Sequence, residues 1–160
     1  MSKLDVFYPV LDDCIALYTN MLEFENSKYT VIVQKNITSL EEMLKVEQAL
    51  IMKSSVLEKR RVSVQAELGF DGYTLLEMAE QLDTDNRSRL LAYREKLLEQ
   101  LNAIKSVNSK SMQLIGDRLK TTERRLELSG YVQDMHTYNG AGTVAENNAG
   151  INKSLISKSI

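Results

Sequence analysis

An all-α fold is predicted for this chain: an elongated antiparallel helical hairpin with a longer C-terminal helix packed along it. Three observations predict it. There is one proline in 160 residues, while Leu, Glu, Lys and Gln, all good helix formers, are plentiful. Large apolar side chains recur at alternating steps of four and three, the heptad signature of helices packed lengthwise. No segment alternates with the two-residue period of a strand, and no internal repeat is present. The expectation is a coiled-coil-like three- or four-helix bundle over residues 1–130, with helices at about 9–35, 39–68, 75–82 and 85–129. A flexible tail at 131–160 completes it.

Pro9 reads as the first position of helix 1, where its missing N–H costs nothing. Asp12 and Asp13 follow beside the positive end of the helix dipole. The stripe then runs Leu11, Ile15, Tyr18, Leu22, Glu25, Tyr29 and Ile32, and pauses near Asn36. Thr38 with Glu41 makes a capping box that opens helix 2. Its stripe is Leu40, Leu44, Glu47, Ile51, Ser54, Leu57, Arg61, Val64 and Leu68, closed by Gly69 as a left-handed cap. A second box, Thr74 with Glu77, opens a short helix through Leu82. Asp83 or Asp85 starts the last helix, striped by Arg94, Leu98, Leu101, Lys105 or Ile104, Asn108, Met112, Ile115, Leu119 and Leu126, until Gly130. From Tyr131 the composition shifts to Gly, Asn, Ser and Thr, as in segments that stay disordered when alone. Ile151, Leu155, Ile156 and Ile160 at its end are apolar enough to order against a partner.

Helix lengths sharpen this picture. At 1.5 Å per residue, helices 1 and 2 are roughly 42 and 48 Å long and the last helix roughly 65 Å. The short connection near Asn36 forces an antiparallel hairpin, which brings Glu25 level with Glu47. A last helix starting at the open end reaches that level near Lys105 and Asn108. A polar layer of Glu25, Glu47 and Asn108, with Lys105 as an optional fourth member, is therefore expected inside an otherwise apolar seam. Two buried carboxylates need a cation or donor. Such a layer serves as a register key. A metal site is the competing reading, but the Glu-x-x-His pairs of ferritin-like bundles are missing.

Past Asp117 the last helix outruns the hairpin bend. Met112, Ile115, Leu119, Leu126, Leu128 and Tyr131 are then expected to offer an apolar stripe to a client helix. Two competing outcomes are a homodimer across that stripe, or cover by the tail or the short third helix.

Catalysis finds little support. His136, the single histidine, lies in the polar tail far from Cys14. Gly140-Ala141-Gly142 follows no strand and completes no phosphate loop. Arg60-Arg61 and Arg124-Arg125 sit among glutamates and read as solvated helix faces. No enzyme activity, cofactor, metal or nucleic-acid partner is expected. A formal charge of −2 gives no general attraction to nucleic acid or anionic lipid. One cysteine, no signal-peptide run and no membrane-length apolar run suit a cytosolic protein.

Several of these residues together resemble the FlgN family of flagellar export chaperones. Glu25 and Tyr29 with Ile32-Val33 resemble its first-helix pattern of a glutamate followed by a hydrophobic pair. Leu57-Glu58-Lys59-Arg60-Arg61 is similar to its Leu-Glu-x-x-Arg stretch late in helix 2. Asn108 with Leu114-Ile115 matches an asparagine-then-leucines pattern, although Ser111 stands where a second asparagine is common. Tyr138-Asn139-Gly140-Ala141-Gly142 looks like the tyrosine-and-glycine segment opening the family's tail. The resemblance implies a cytosolic chaperone for hook–filament junction proteins (FlgK and FlgL), whose amphipathic terminal helices are an aggregation hazard before assembly. It also implies that the tail tyrosine, here Tyr138, contacts the cytosolic domain of the export gate. A generic coiled-coil adaptor and another secretion-system chaperone are the alternative functions.

Overall fold

A computed structural model describes residues 3–130 and residue 160. Tyr131, His136 and Tyr138, with the rest of the expected tail up to residue 159, lie outside the described residues. A 3-10 turn, Lys3–Val6, leads into four α-helices: α1 (Phe7–Val33), α2 (Ile37–Glu67), α3 (Leu75–Glu80) and α4 (Thr84–Leu128). The fold is all-α, as the sequence predicts. The helices α1 and α2 form an antiparallel hairpin, and α4 runs beside α1 from the open end of that hairpin to beyond its bend. The central helix is α1, packed on α2 along one flank and α4 along the other, while α3 packs on α4.

Local chemistry sets the helix ends. Pro9 falls in the first turn of α1 rather than at its first position, since the helix begins at Phe7. The N–H that Pro9 lacks would have had no partner within the helix there either. Asn36, not Thr38, caps α2. Its backbone is non-helical and its side-chain oxygen accepts from Ser39 N at 3.1 Å. A short Asx side chain reaches the third amide of a helix readily, so α2 opens before the Thr38–Glu41 pair can act. At α3 the expected box is present: Glu77 N donates to Thr74 Oγ1 at 3.2 Å, and Thr74 N donates back to Glu77 Oε2 at 2.8 Å. That backbone bond, with a second from the Thr74 hydroxyl to Glu77 Oε2 at 3.0 Å, holds the Glu77 carboxyl below its usual range. Asp83 caps α4, accepting from Asn86 N at 3.0 Å. Gly69, just past α2, has φ 89°, a left-handed conformation that a Cβ would strain.

The apolar core is gathered at the open end. Leu4, Phe7, Tyr8, Leu11, Cys14 and Tyr18 pack with Leu75 and Met78 of α3 and with Leu90, Leu97 and Ile104 of α4. Ile160 joins this cluster, and Arg94 Nε donates to its backbone oxygen at 3.0 Å. Specific polar contacts fix the pairing of α1 with α4. The Tyr8 hydroxyl donates to Asn86 Oδ1 at 2.9 Å, its ring stacks on Tyr93 with centroids 5.6 Å apart, and the Arg89 guanidinium lies 3.7 Å from the ring centroid. Further along, Gln100 Nε2 donates to Thr19 Oγ1 at 2.7 Å.

The thiol of Cys14 is buried in this core, and burial pushes its pKa up to about 12. At pH 8 only about one thiol in ten thousand is then the reactive thiolate. Native protein should therefore resist iodoacetamide for hours, whereas urea-unfolded protein reacts as an ordinary cysteine does. Equal labelling rates with and without urea would contradict this packing.

Candidate functional site

Toward the bend the seam turns from apolar to polar. From the 3-10 turn through α1, Leu4, Leu11, Tyr18, Glu25 and Ile32 recur every seven residues; on α4, Leu90, Leu97, Ile104, Ser111 and Arg118 do the same. All but the half-buried Arg118 are buried. The expected α4 stripe followed the large side chains Leu98, Leu101 and Met112 and so lies one position off this seam. Ile104, not Lys105, faces inward; Lys105 is exposed, and Met112 is 48% exposed beside the buried Ser111. The inner positions run from Leu90, Leu97 and Ile104 at the open end to the small, polar Ser111 toward the bend.

Glu25, Glu47 and Asn108 are brought together, and the group that joins them is Lys28. Its ammonium lies 2.8 Å from Glu25 Oε2 and 2.6 Å from Glu47 Oε1, and donates more weakly to Asn108 Oδ1 at 3.4 Å. Glu25 and Lys28 are both buried. Burial first, then the hydrogen bond with Glu47, pushes the Glu25 carboxyl above its usual range, against the pull of Lys28. This layer therefore carries its own cation between the carboxylates. Among the described residues no group of three or more His, Cys, Asp or Glu could hold a metal ion. Lys28 escaped the sequence reading for a physical reason. A central helix is buried on more than one side, and a single stripe through Leu22, Glu25 and Tyr29 leaves out Lys28, which reaches both Glu47 of α2 and Asn108 of α4.

A second buried charge occupies the open half of α2. Arg61 is 1% exposed, which corrects its reading as part of a solvated pair; Arg60 alone fits that description. Arg61 donates to both Glu58 oxygens, Nε to Oε2 at 2.9 Å and Nη2 to Oε1 at 2.6 Å, and Nη1 donates to Gln65 Oε1 at 2.9 Å. In turn Gln65 Nε2 donates to the carbonyl oxygens of Phe70 and Tyr73. The chain of bonds ties the α2–α3 loop to α2.

Beyond the polar layer lies the surface that the rest of the bundle positions. Arg118 donates to the carbonyl oxygens of Ile32 and Val33, the last of α1. This bond marks where α4 passes the bend. Residues 119–128 continue for about 15 Å past the end of α1. Leu119 is 60% exposed and Leu128 is 90% exposed, while Ile115 and Leu126 are half-buried. A cleft of about 470 Å³ opens between this segment and the bend, floored by Val31, Ile32, Leu40, Ile115 and Leu119. Ile37, at the start of α2, adds a side chain 71% exposed at the cleft's edge. The short helix α3 does not roof this surface, because it packs at the opposite end, among Leu75, Met78 and the open-end core. Of the six residues expected to bind a client, Ile115 and Leu119 line the cleft, Leu126 and Leu128 lie farther out on α4, and Met112 sits beside Ser111 before the bend; Tyr131 is outside the described residues.

No helix among the described residues is long and apolar enough to cross a membrane. No curated protein and no solved structure matches the chain. The family model described as FlgN protein matches residues 1–146. That span takes in the hairpin, the Lys28 layer and the whole of α4, and so the chain belongs to the FlgN family, whose general role is that of a flagellar export chaperone.

Proposed function

We propose that this chain binds the amphipathic C-terminal helix of a hook–filament junction protein, of the FlgK or FlgL kind, in the cytosol and hands it to the export gate. The client helix lies in the cleft between the hairpin bend and the distal part of α4. One observation carries this reading: α4 outruns the hairpin and presents Ile115, Leu119, Leu126 and Leu128 beside an apolar cleft with no helix of the bundle over it. An amphipathic helix meets such a groove with residues at i, i+3, i+4 and i+7. Burying two or three leucine-sized anchors, at about 1.5–3 kcal/mol each before association entropy, gives a firm but reversible hold. Reversibility is what a carrier needs.

The test is co-elution with the C-terminal region of a junction protein. Leu119→Asp with Leu126→Asp should weaken binding by at least about thirtyfold, because charges cannot enter an apolar contact. The melting temperature should stay near that of the parent, since Leu119 makes little of the fold. Undiminished binding by a folded double variant removes the distal helix from the site. Free protein that elutes as a dimer and loses dimerisation in the same variant assigns the stripe to self-association instead. For the tail, Tyr138→Ala should retain client binding and lose export in a motility assay; loss of client binding moves Tyr138 to the client site.

A further inference from the structure

The same cleft carries a charge bias, and from it we infer which partner helices it accepts: those whose apolar stripe is flanked by carboxylates. The inference rests on the docking role just proposed and adds the partner's chemistry. The protein as a whole is slightly acidic, with 22 Asp and Glu against 20 Lys and Arg. The cleft is not. Among the described residues its lining holds Lys35, Arg118 and Arg125 and no carboxylate. Arg118 and Arg125 stand seven residues apart, on one face of α4, while Lys35 belongs to the bend across from them. A helix laid over the apolar floor therefore meets cations along both edges.

Two features single out Arg118 and Lys35. Arg118 is tied to neutral carbonyl oxygens, those of Ile32 and Val33, so its position is set while its full charge remains. Lys35 has φ 58° and is the one described residue other than glycine in the left-handed region. Helices that end this way ordinarily place glycine or asparagine there. A lysine held in a disfavoured backbone state at a site's edge is a feature that packing alone does not call for. Exposed ion pairs are individually weak and salt-sensitive. Three attractions exchanged for three repulsions still separate an acidic from a basic partner by about tenfold or more.

Two synthetic peptides of about 20 residues, long enough to form several helical turns, provide the test. Both carry the same Leu/Ile stripe at helical spacing; one has Glu at the flanking positions and the other Lys. Fluorescence anisotropy with the full chain should show the Glu peptide binding at least about tenfold tighter at low salt, with the preference shrinking toward parity near 0.5 M salt. Lys35→Gly, which suits the left-handed backbone, combined with Arg125→Gln should remove most of the preference while Arg118 continues to hold α1. Equal binding of the two peptides at low salt, or a preference unchanged in the double variant, overturns the charge rule and leaves the docking site standing. Failure of both peptides to bind overturns the rule together with the docking role on which it rests.

Discussion

Replacing Lys28 by methionine is expected to destabilise the bundle by about 3–5 kcal/mol at neutral pH, the scale of breaking a buried ion pair from one side. The physical reason is the company Lys28 keeps. Its ammonium is the cation within 2.8 Å of Glu25 and within 2.6 Å of Glu47, and methionine fills its volume while leaving both carboxylates in the seam. The sign of the pH dependence follows from Glu25, whose carboxyl is already pushed upward by burial and by Glu47. A raised carboxyl favours the protonated fold, so its contribution is present at low pH and lost as pH rises through the folded-state value. Without Lys28 that rise is steeper. The deficit of Lys28→Met should thus be smallest near pH 4.5 and largest near pH 8, measured as urea midpoints against the parent. Adding Glu25→Gln and Glu47→Gln should recover most of the loss, because a neutral layer needs no cation. A deficit of the same size at both pH values, or no recovery in the triple variant, would mean that the layer is packed by shape alone.

The polar layer also explains where the molecule is firm and where it is loose. At the open end, Phe7, Leu11, Leu75, Met78, Leu90 and Leu97 are fully buried. From Glu25 toward the bend the seam instead holds charges, Asn108 and Ser111, whose buried hydroxyl has no hydrogen-bond partner among the described residues. Apolar burial is the larger source of stability, and polar seams trade it for alignment. Local opening should therefore be easiest at the bend, the end at which the cleft lies. A docking surface there can adjust to a guest without disturbing the far core.

How much of this was legible in the residues differs from element to element. The bundle was legible because Leu11, Tyr18, Glu25 and Ile32 keep strict helical spacing and because Gly69, the Thr74–Glu77 box and an aspartate at 83 or 85 punctuate the chain with cap chemistry; the structure selects Asp83. The meeting of Glu25, Glu47 and Asn108 followed from counting residues outward from Asn36, since helical rise is fixed. What could not be read was which side of α4 faces in. Leu98 and Leu97, or Met112 and Ser111, are adjacent positions 100° apart. Apolarity alone favours Met112 where packing chose the smaller serine. Lys28 was missed as a buried group, and Arg61, although on the helix 2 stripe, was read with Arg60 as solvated, for a related reason. Nothing in a one-dimensional pattern distinguishes a charge with a waiting partner from one facing water; the partner's position is tertiary information. One signal was available for Arg61, since Glu58 three residues earlier can pair with it on the same helical face.

That pair underlies the second large effect. Arg61→Met should cost about 2–4 kcal/mol, somewhat less than the loss of Lys28, because Glu58 retains 16% side-chain exposure and can draw partly on water. Arg61→Lys should recover little of it. Lysine is a single point donor and cannot reproduce the paired bonds of a guanidinium to both Glu58 oxygens with a third to Gln65. The damage should spread in a defined direction. Once Gln65 loses its partner, its amide is no longer held toward the carbonyls of Phe70 and Tyr73, and the link from α2 to α3 loosens. Hydrogen exchange should therefore quicken across residues 69–75 in Arg61→Lys under conditions where α1 amides keep their protection. If lysine restores the parent's midpoint, the site requires only a positive charge and the bidentate geometry is incidental. Uniformly faster exchange along all four helices would instead show that Arg61 supports the whole bundle and not the α2–α3 junction in particular.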